Sequence, residues 1–127
     1  MIDDFFNISQ CSESEDGYVF TVTLNPECKV YEGHFPGHPV APGVCSINML
    51  KECAEKVTGT ELFLRKIQTC RMLAVIVPEP DNELTVAMSI DALDVYRYQM
   101  IAEISSDGRN LMNIKAELNE CLPQDKK

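Results

Sequence analysis

Residues 18–24 read Tyr, Val, Phe, Thr, Val, Thr, Leu. The two-residue alternation and β-branched content predict a strand with one buried face. Residues 5–12 predict a partner strand, with the polar run Ser12-Glu13-Ser14-Glu15-Asp16-Gly17 as the turn between them and Asn25-Pro26 as the stop. Residues 44–58 follow a different period. They contain neither proline nor glycine and end at Gly59, a fitting helix C-cap. At about 100° per residue, Ser46, Ile47, Met49, Leu50, Cys53, Ala54 and Val57 share one arc, and Asn48, Lys51, Glu52, Glu55 and Lys56 the other. The spacing predicts one long helix, with Asn48 and Glu52 one turn apart on its polar side. Four strand-like segments follow, at 62–77 (ending in Pro78-Glu79-Pro80), 83–94, 96–105 and 109–120, the last two joined by an Asp107-Gly108 turn.

Two strands, a helix and a meander of three or four strands make one helix packed on one antiparallel sheet, an α+β class. The length of 127 residues suits a single domain, 1–127, and a hydrophobic content of 45% supports a packed core. One such layer leaves much of a sheet face uncovered, so pairing of chains is expected. The acidic Met-Ile-Asp-Asp start does not resemble a secretion signal, and no apolar run is long enough for a membrane span, so a cytoplasmic location is expected.

Twenty acidic against eleven basic residues give a net charge of −9, which argues against nucleic acid or an anionic membrane as partner. Five of the eleven cations nevertheless fall between residues 51 and 71: Lys51, Lys56, Arg65, Lys66 and Arg71. They form a candidate patch for an acidic partner. The six cysteines include no Cys-x-x-Cys pair and are read as small buried apolar residues. His34 and His38 are separated by Pro36 and Gly37, which rules out a helical metal pair, so no metal site is expected.

The chemistry concentrates in Tyr31-Glu32-Gly33-His34-Phe35-Pro36-Gly37-His38-Pro39-Val40-Ala41-Pro42-Gly43-Val44, directly ahead of the helix. Proline and glycine fix an irregular backbone there. A helix start offers N–H donors without intrahelical acceptors and a partial positive charge. A histidine beside it can take a proton from a substrate whose oxyanion those donors stabilise.

From Gly33 to Val44 the segment resembles the signature of the 3-hydroxyacyl-acyl-carrier-protein dehydratases of the FabZ type, roughly Gly-His-Phe-Pro-Gly-x-Pro-(Val/Ile)-x-Pro-Gly-Val. A looser likeness covers residues 5–119, leaving a short tail at 121–127, and includes the Arg-bearing stretch that ends at Val77-Pro78. The resemblance implies a hotdog fold, one long central helix wrapped by a curved antiparallel sheet, paired as a homodimer or as a heterodimer with another hotdog chain. It implies loss of water from a 3-hydroxyacyl thioester of acyl carrier protein or coenzyme A, in fatty-acid or related polyketide-type synthesis. No cofactor is needed, because the substrate brings its own phosphopantetheine arm. His34 matches the base, and Gly43 matches the position whose N–H faces the thioester oxygen. Phe35 and Val44 lie beside them as substrate-binding positions.

One departure bears on the chemistry. Asn48 stands where the family has its catalytic Glu, and Glu52 where it has a Gln one turn later. An amide cannot deliver a proton as an acid. Three outcomes stay open: Glu52 acts as the acid with Asn48 placing water or hydroxyl; this chain donates His34 to a heterodimer whose partner brings the carboxylate; or the site binds acyl thioesters without dehydrating them. A hotdog thioesterase, recruiting Glu52 or Glu55, is a further alternative. Against all of these stands a plain surface glutamate paired with Lys56.

Overall fold

The computed structural model describes residues 5–28, 43–78 and 83–121. The elements run β1 (Phe6–Ser14), β2 (Gly17–Leu24), α1 (Gly43–Thr58), β3 (Leu62–Met72), β4 (Glu83–Ala92), β5 (Arg97–Ser106) and β6 (Arg109–Glu120). The six strands form one antiparallel sheet in the order β1-β2-β4-β5-β6-β3. With one helix against it, this is the α+β hotdog architecture. None of the described helices is long and apolar enough to cross a membrane.

The sheet alternates as the sequence requires. Phe20, Val22 and Leu24 of β2, Leu84, Val86 and Met88 of β4, Met100, Ala102 and Ile104 of β5, and Met112, Ile114, Ala116 and Leu118 of β6 all face inward and are buried. The α1 side chains Cys45, Ser46, Met49, Leu50, Cys53 and Ala54 fill the space they enclose. Each large aliphatic side chain withdrawn from water contributes about 1.5–3 kcal/mol. Gly59 sits at φ 74° and donates its N–H to the Glu55 carbonyl at 2.8 Å, closing the helix as expected of a C-cap. Asp107 (φ 51°) and Gly108 (φ 78°) both take the left-handed conformation that a two-residue hairpin loop demands. Gly17 is fixed by crowding: a Cβ there would drive into the Met88 carbonyl.

The structure departs from the expected meander at β3. This strand does not sit beside β4 but pairs with β6 at the far edge, from Leu62↔Glu120 to Met72↔Met112. The free edge of β4 is already taken by β2, so the open edge of β6 receives β3. The strand is also shorter than 62–77. The amides of Leu73 and Ala74 converge on the single carbonyl of Leu111, at 2.9 and 3.2 Å, and two successive donors on one acceptor end the ladder.

Helix and edge strand are tied by a clamp. The backbone N–H of Leu62 donates to Glu55 Oε2 at 2.8 Å, and Lys51 Nζ donates to the Leu62 carbonyl at 3.3 Å. Lys51 and Glu55 are themselves paired at 3.4 Å. Leu62 is buried, so removing the acceptor strands a buried donor. Glu55→Ala is expected to cost about 1–3 kcal/mol of stability in urea denaturation, and a change below about 0.5 kcal/mol would contradict the clamp.

Candidate active site

The first turn of α1 places its N–H donors at Gly43, where the sequence expects the thioester oxygen. Val44 is 74% exposed, and so available to a ligand or a second chain. Met72 reaches the same place from the end of β3: a Cβ on Gly43 would lie 4.0 Å from its terminal methyl. Leu73 and Val75 continue the chain there with exposed apolar side chains. Met72 is a site neighbour that sequence reasoning missed, because the strand pattern gives no hint that β3 ends beside the helix start. His34 and Phe35 lie outside the described residues.

Farther along α1, Asn48 Nδ2 donates to Glu52 Oε2 at 2.8 Å. Both side chains are half-buried. The expected turn-to-turn contact is therefore made, and Glu52 engages Asn48. No ion pair joins Glu52 to Lys56 among the described residues. At about 1.5 Å rise per residue, Glu52 stands roughly 13 Å along the helix from Gly43. It borders a groove of about 390 Å³ with Phe6, Glu55, Lys56 and the turn at Gly59–Glu61. Phe6 is a second neighbour that the sequence did not single out. Glu55 borders the same groove, but its Oε2 holds the Leu62 N–H, which leaves it poorly placed to act as a base. A larger groove of about 540 Å³ crosses the opposite face of the sheet, past Val19, Ala87, Ile101 and Lys115. Among the described residues, neither Gly43, Val44, Asn48 nor Glu52 lines it.

The five cations do not act as one patch. Lys51 belongs to the clamp, and Arg65 lies 3.6 Å from Glu117. Lys56, Lys66 and Arg71 remain exposed. Among the described residues no group of three or more His, Cys, Asp or Glu is placed to hold a metal ion.

The cysteines divide. Cys28, Cys45 and Cys53 are buried as expected, whereas Cys11 and Cys70 are exposed and Cys121 is intermediate, and all six are free thiols. Burial, reinforced by nearby Cys28, pushes the Cys45 thiol up, even though it sits in the first helical turn. Burial, with Glu52 adding to it, pushes Cys53 to about 12. Neither is a nucleophile at neutral pH.

Comparison with known proteins places this arrangement. The family model described as ApeI-like, ApeI dehydratase, matches residues 10–109. The chain belongs to the ApeI-like dehydratase family. Curated relatives extend the likeness to FabZ-type enzymes. The 3-hydroxyacyl-[acyl-carrier-protein] dehydratase FabZ of Lactobacillus helveticus is 30% identical over 113 residues, 84% of this chain and 72% of that one. The FabZ of Wolbachia pipientis is 29% identical over 82 residues, where the alignment covers 59% of this chain and 57% of the relative. Among solved structures, a chain of the dehydratase heterocomplex ApeI:P from Xenorhabdus doucetiae superposes with a TM-score of 0.75 at 17% identity, covering 90% of this chain and 97% of that one. A hypothetical thioesterase from Streptococcus pneumoniae, solved with coenzyme A, superposes with a TM-score of 0.61 at 14% identity, covering 91% and 87%. These structural likenesses carry the hotdog fold, and the sequence matches make this a dehydratase-like hotdog protein.

For this ApeI-like chain the thiol assignments are directly testable. Brief alkylation at pH 8 followed by mass spectrometry is expected to modify Cys11 and Cys70 and to spare Cys53 and Cys45. A pH of 8 lies about four units below the Cys53 value, which leaves about one thiol in 10⁴ ionised. Rapid labelling of Cys53 in folded protein would contradict the burial described.

Proposed function

We propose that the chain interconverts 3-hydroxyacyl and trans-2-enoyl thioesters carried on a phosphopantetheine arm, in fatty-acid or related polyketide-type synthesis in the cytoplasm. The observation that carries the reading is the family match across the motif-bearing part of the chain, together with an amide and a carboxylate hydrogen-bonded on the helix that follows. In this reading His34 removes the proton beside the thioester carbonyl, and the Gly43 N–H receives the negative charge on the carbonyl oxygen. One such donor contributes about 3–4 kcal/mol in other enzymes. Glu52, held by Asn48, exchanges the proton of the departing hydroxyl. Phe35 and Val44 flank the thioester. The cycle as drawn uses no cofactor or metal.

The site is read as forming between two chains. Gly43 and Glu52 of one helix are too far apart to touch a single reacting thioester, so a second helix must supply one of them. The sheet edges differ in a way that favours such pairing. The β1 edge carries exposed Asn7, Gln10, Ser12 and Glu13, whereas β3 presents exposed Phe63, Ile67 and Met72. A long edge strand with apolar side chains among its polar ones can receive another strand. The exposed Lys66 and Arg71 on β3 fit an acidic carrier protein near that seam.

A second reading has its own observation. The position matched to the family's Glu is Asn48, so this chain can serve as the His34-donating half of a heterodimer, or bind acyl thioesters without turning them over. Hydration of a trans-2-enoyl carrier-protein thioester by the purified chain, followed by mass spectrometry, separates the readings. Addition of one water, reduced at least about 100-fold in His34→Ala, is the expected result. No added water from a folded, paired chain would contradict self-sufficient catalysis and favour the second reading.

A further inference from the structure

Gly43 has no side chain, yet the described surroundings do not forbid one. Its φ lies outside the left-handed region, so the backbone there suits residues other than glycine. A Cβ built on it would meet, among the described residues outside its own helix and chain neighbours, only the Met72 terminal methyl. That contact, at 4.0 Å, is an ordinary van der Waals distance. The glycine thus keeps the approach to its N–H open, and Met72 stands at one side of that opening. Met72 is held there by its backbone. Its register partner Met112 is fully buried, and the amides of Leu73 and Ala74 both bond to the Leu111 carbonyl. The Met72 side chain is nevertheless 48% exposed, so half of its surface is left for something else beside the helix start.

We propose that Met72 is a specificity-determining residue, whose side chain packs against carbon 2 of the acyl thioester and selects chains unbranched at that carbon. The inference rests on the reading above in one respect, the thioester oxygen at the Gly43 N–H. An oxygen accepting that N–H lies about 2.9 Å from the nitrogen. Carbon 2 is two bonds from that oxygen and stays beside Gly43, the residue that the Met72 methyl borders. A methyl branch on carbon 2 competes with the Met72 methyl for this space. One extra methyl group in an apolar pocket is discriminated by about 10–200-fold. Methionine is unbranched and adapts its shape, which puts the effect near the low end of that range.

Butanoyl-pantetheine and its isomer 2-methylpropanoyl-pantetheine are the probes, because they differ only in branching and have no 3-hydroxyl or double bond. Their affinities are measured by titration calorimetry, with hydration of crotonyl- and 2-methylcrotonyl-pantetheine followed on the same preparations. Wild-type chain is expected to bind the straight isomer about tenfold more tightly. Met72→Ala is expected to reduce that preference to about twofold, mainly by binding the branched isomer better, with pairing and melting temperature retained. Met72→Leu, which restores the bulk, is expected to keep the preference. The ratio of kcat/KM for the two enoyl thioesters is expected to shift between variants in the same sense. Equal affinities in wild type, failure to bind either isomer, or a preference unchanged in Met72→Ala would overturn the inference. Should Met72→Ala fail to fold, Met72→Val is read in its place. A parallel fall in both affinities, the mark of lost structure, would also overturn it. Hydration of crotonyl thioester with no discrimination would leave the dehydratase reading standing. Discrimination in binding without any hydration would support the inference while sinking self-sufficient dehydration.

Discussion

Burial of α1 against the sheet is the constraint from which the rest follows. The helix offers Cys45, Met49 and Cys53 in one row and Ser46, Leu50 and Ala54 in the next, and all six are buried. Small residues in both rows let the strands close in around the helix. Phe20, Met100, Ile104, Met112 and Leu118 fill the space from the sheet side. Once this packing is set, the rotation of the helix is fixed. Asn48, Lys51, Glu52 and Glu55 must then occupy its half-buried flank, where each has a definite task. Lys51 and Glu55 hold the start of β3, and Asn48 and Glu52 hold each other.

The same packing sets what the site can do. A helix start beside the end of β3 gives N–H donors next to exposed apolar side chains, a setting that suits the carbonyl and chain of an acyl thioester. The carboxylate lies about 13 Å farther along the same helix, at a different groove. Reading the two as parts of one site requires a second chain, and the open β3 edge, with exposed Phe63, Ile67 and Met72, offers a place for it. The exchange of amide and carboxylate moves the ionisable group four residues, about 6 Å, along the helix. Proton transfer works over hydrogen-bond distances, so in the proposed reaction the departing hydroxyl must meet Glu52 at this shifted position.

Much of this was legible in the sequence, for physical reasons that differ from element to element. The alternation in β2 and the helical arc of α1 are local patterns, and each produced the element expected. Gly59 and Asp107-Gly108 were legible because left-handed backbone restricts the residues that fit. The placement of β3 was not legible. Its neighbour depends on which sheet edge remains open after β2 has paired with β4, a property of the whole sheet. The end of β3 at Met72 was hidden for a similar reason, since it depends on the Leu111 carbonyl almost forty residues away. The Asn48–Glu52 pairing followed from helical spacing, but that Glu52 shares a groove with Phe6 depends on how β1 meets the helix. The cysteines were over-generalised, because burial depends on strand face, and Cys11 and Cys70 sit on the two edge strands.

The measurement that bears most directly on this account is enoyl-thioester hydration by the double variant Asn48→Glu with Glu52→Gln, which returns the carboxylate to the position the motif resemblance assigns to it. In the proposed reaction the wild-type carboxylate works from one turn away, and its position limits the rate of water addition. The double variant is expected to hydrate enoyl thioester about 100-fold faster than wild type. Unchanged or lower hydration in a folded, paired double variant would contradict it.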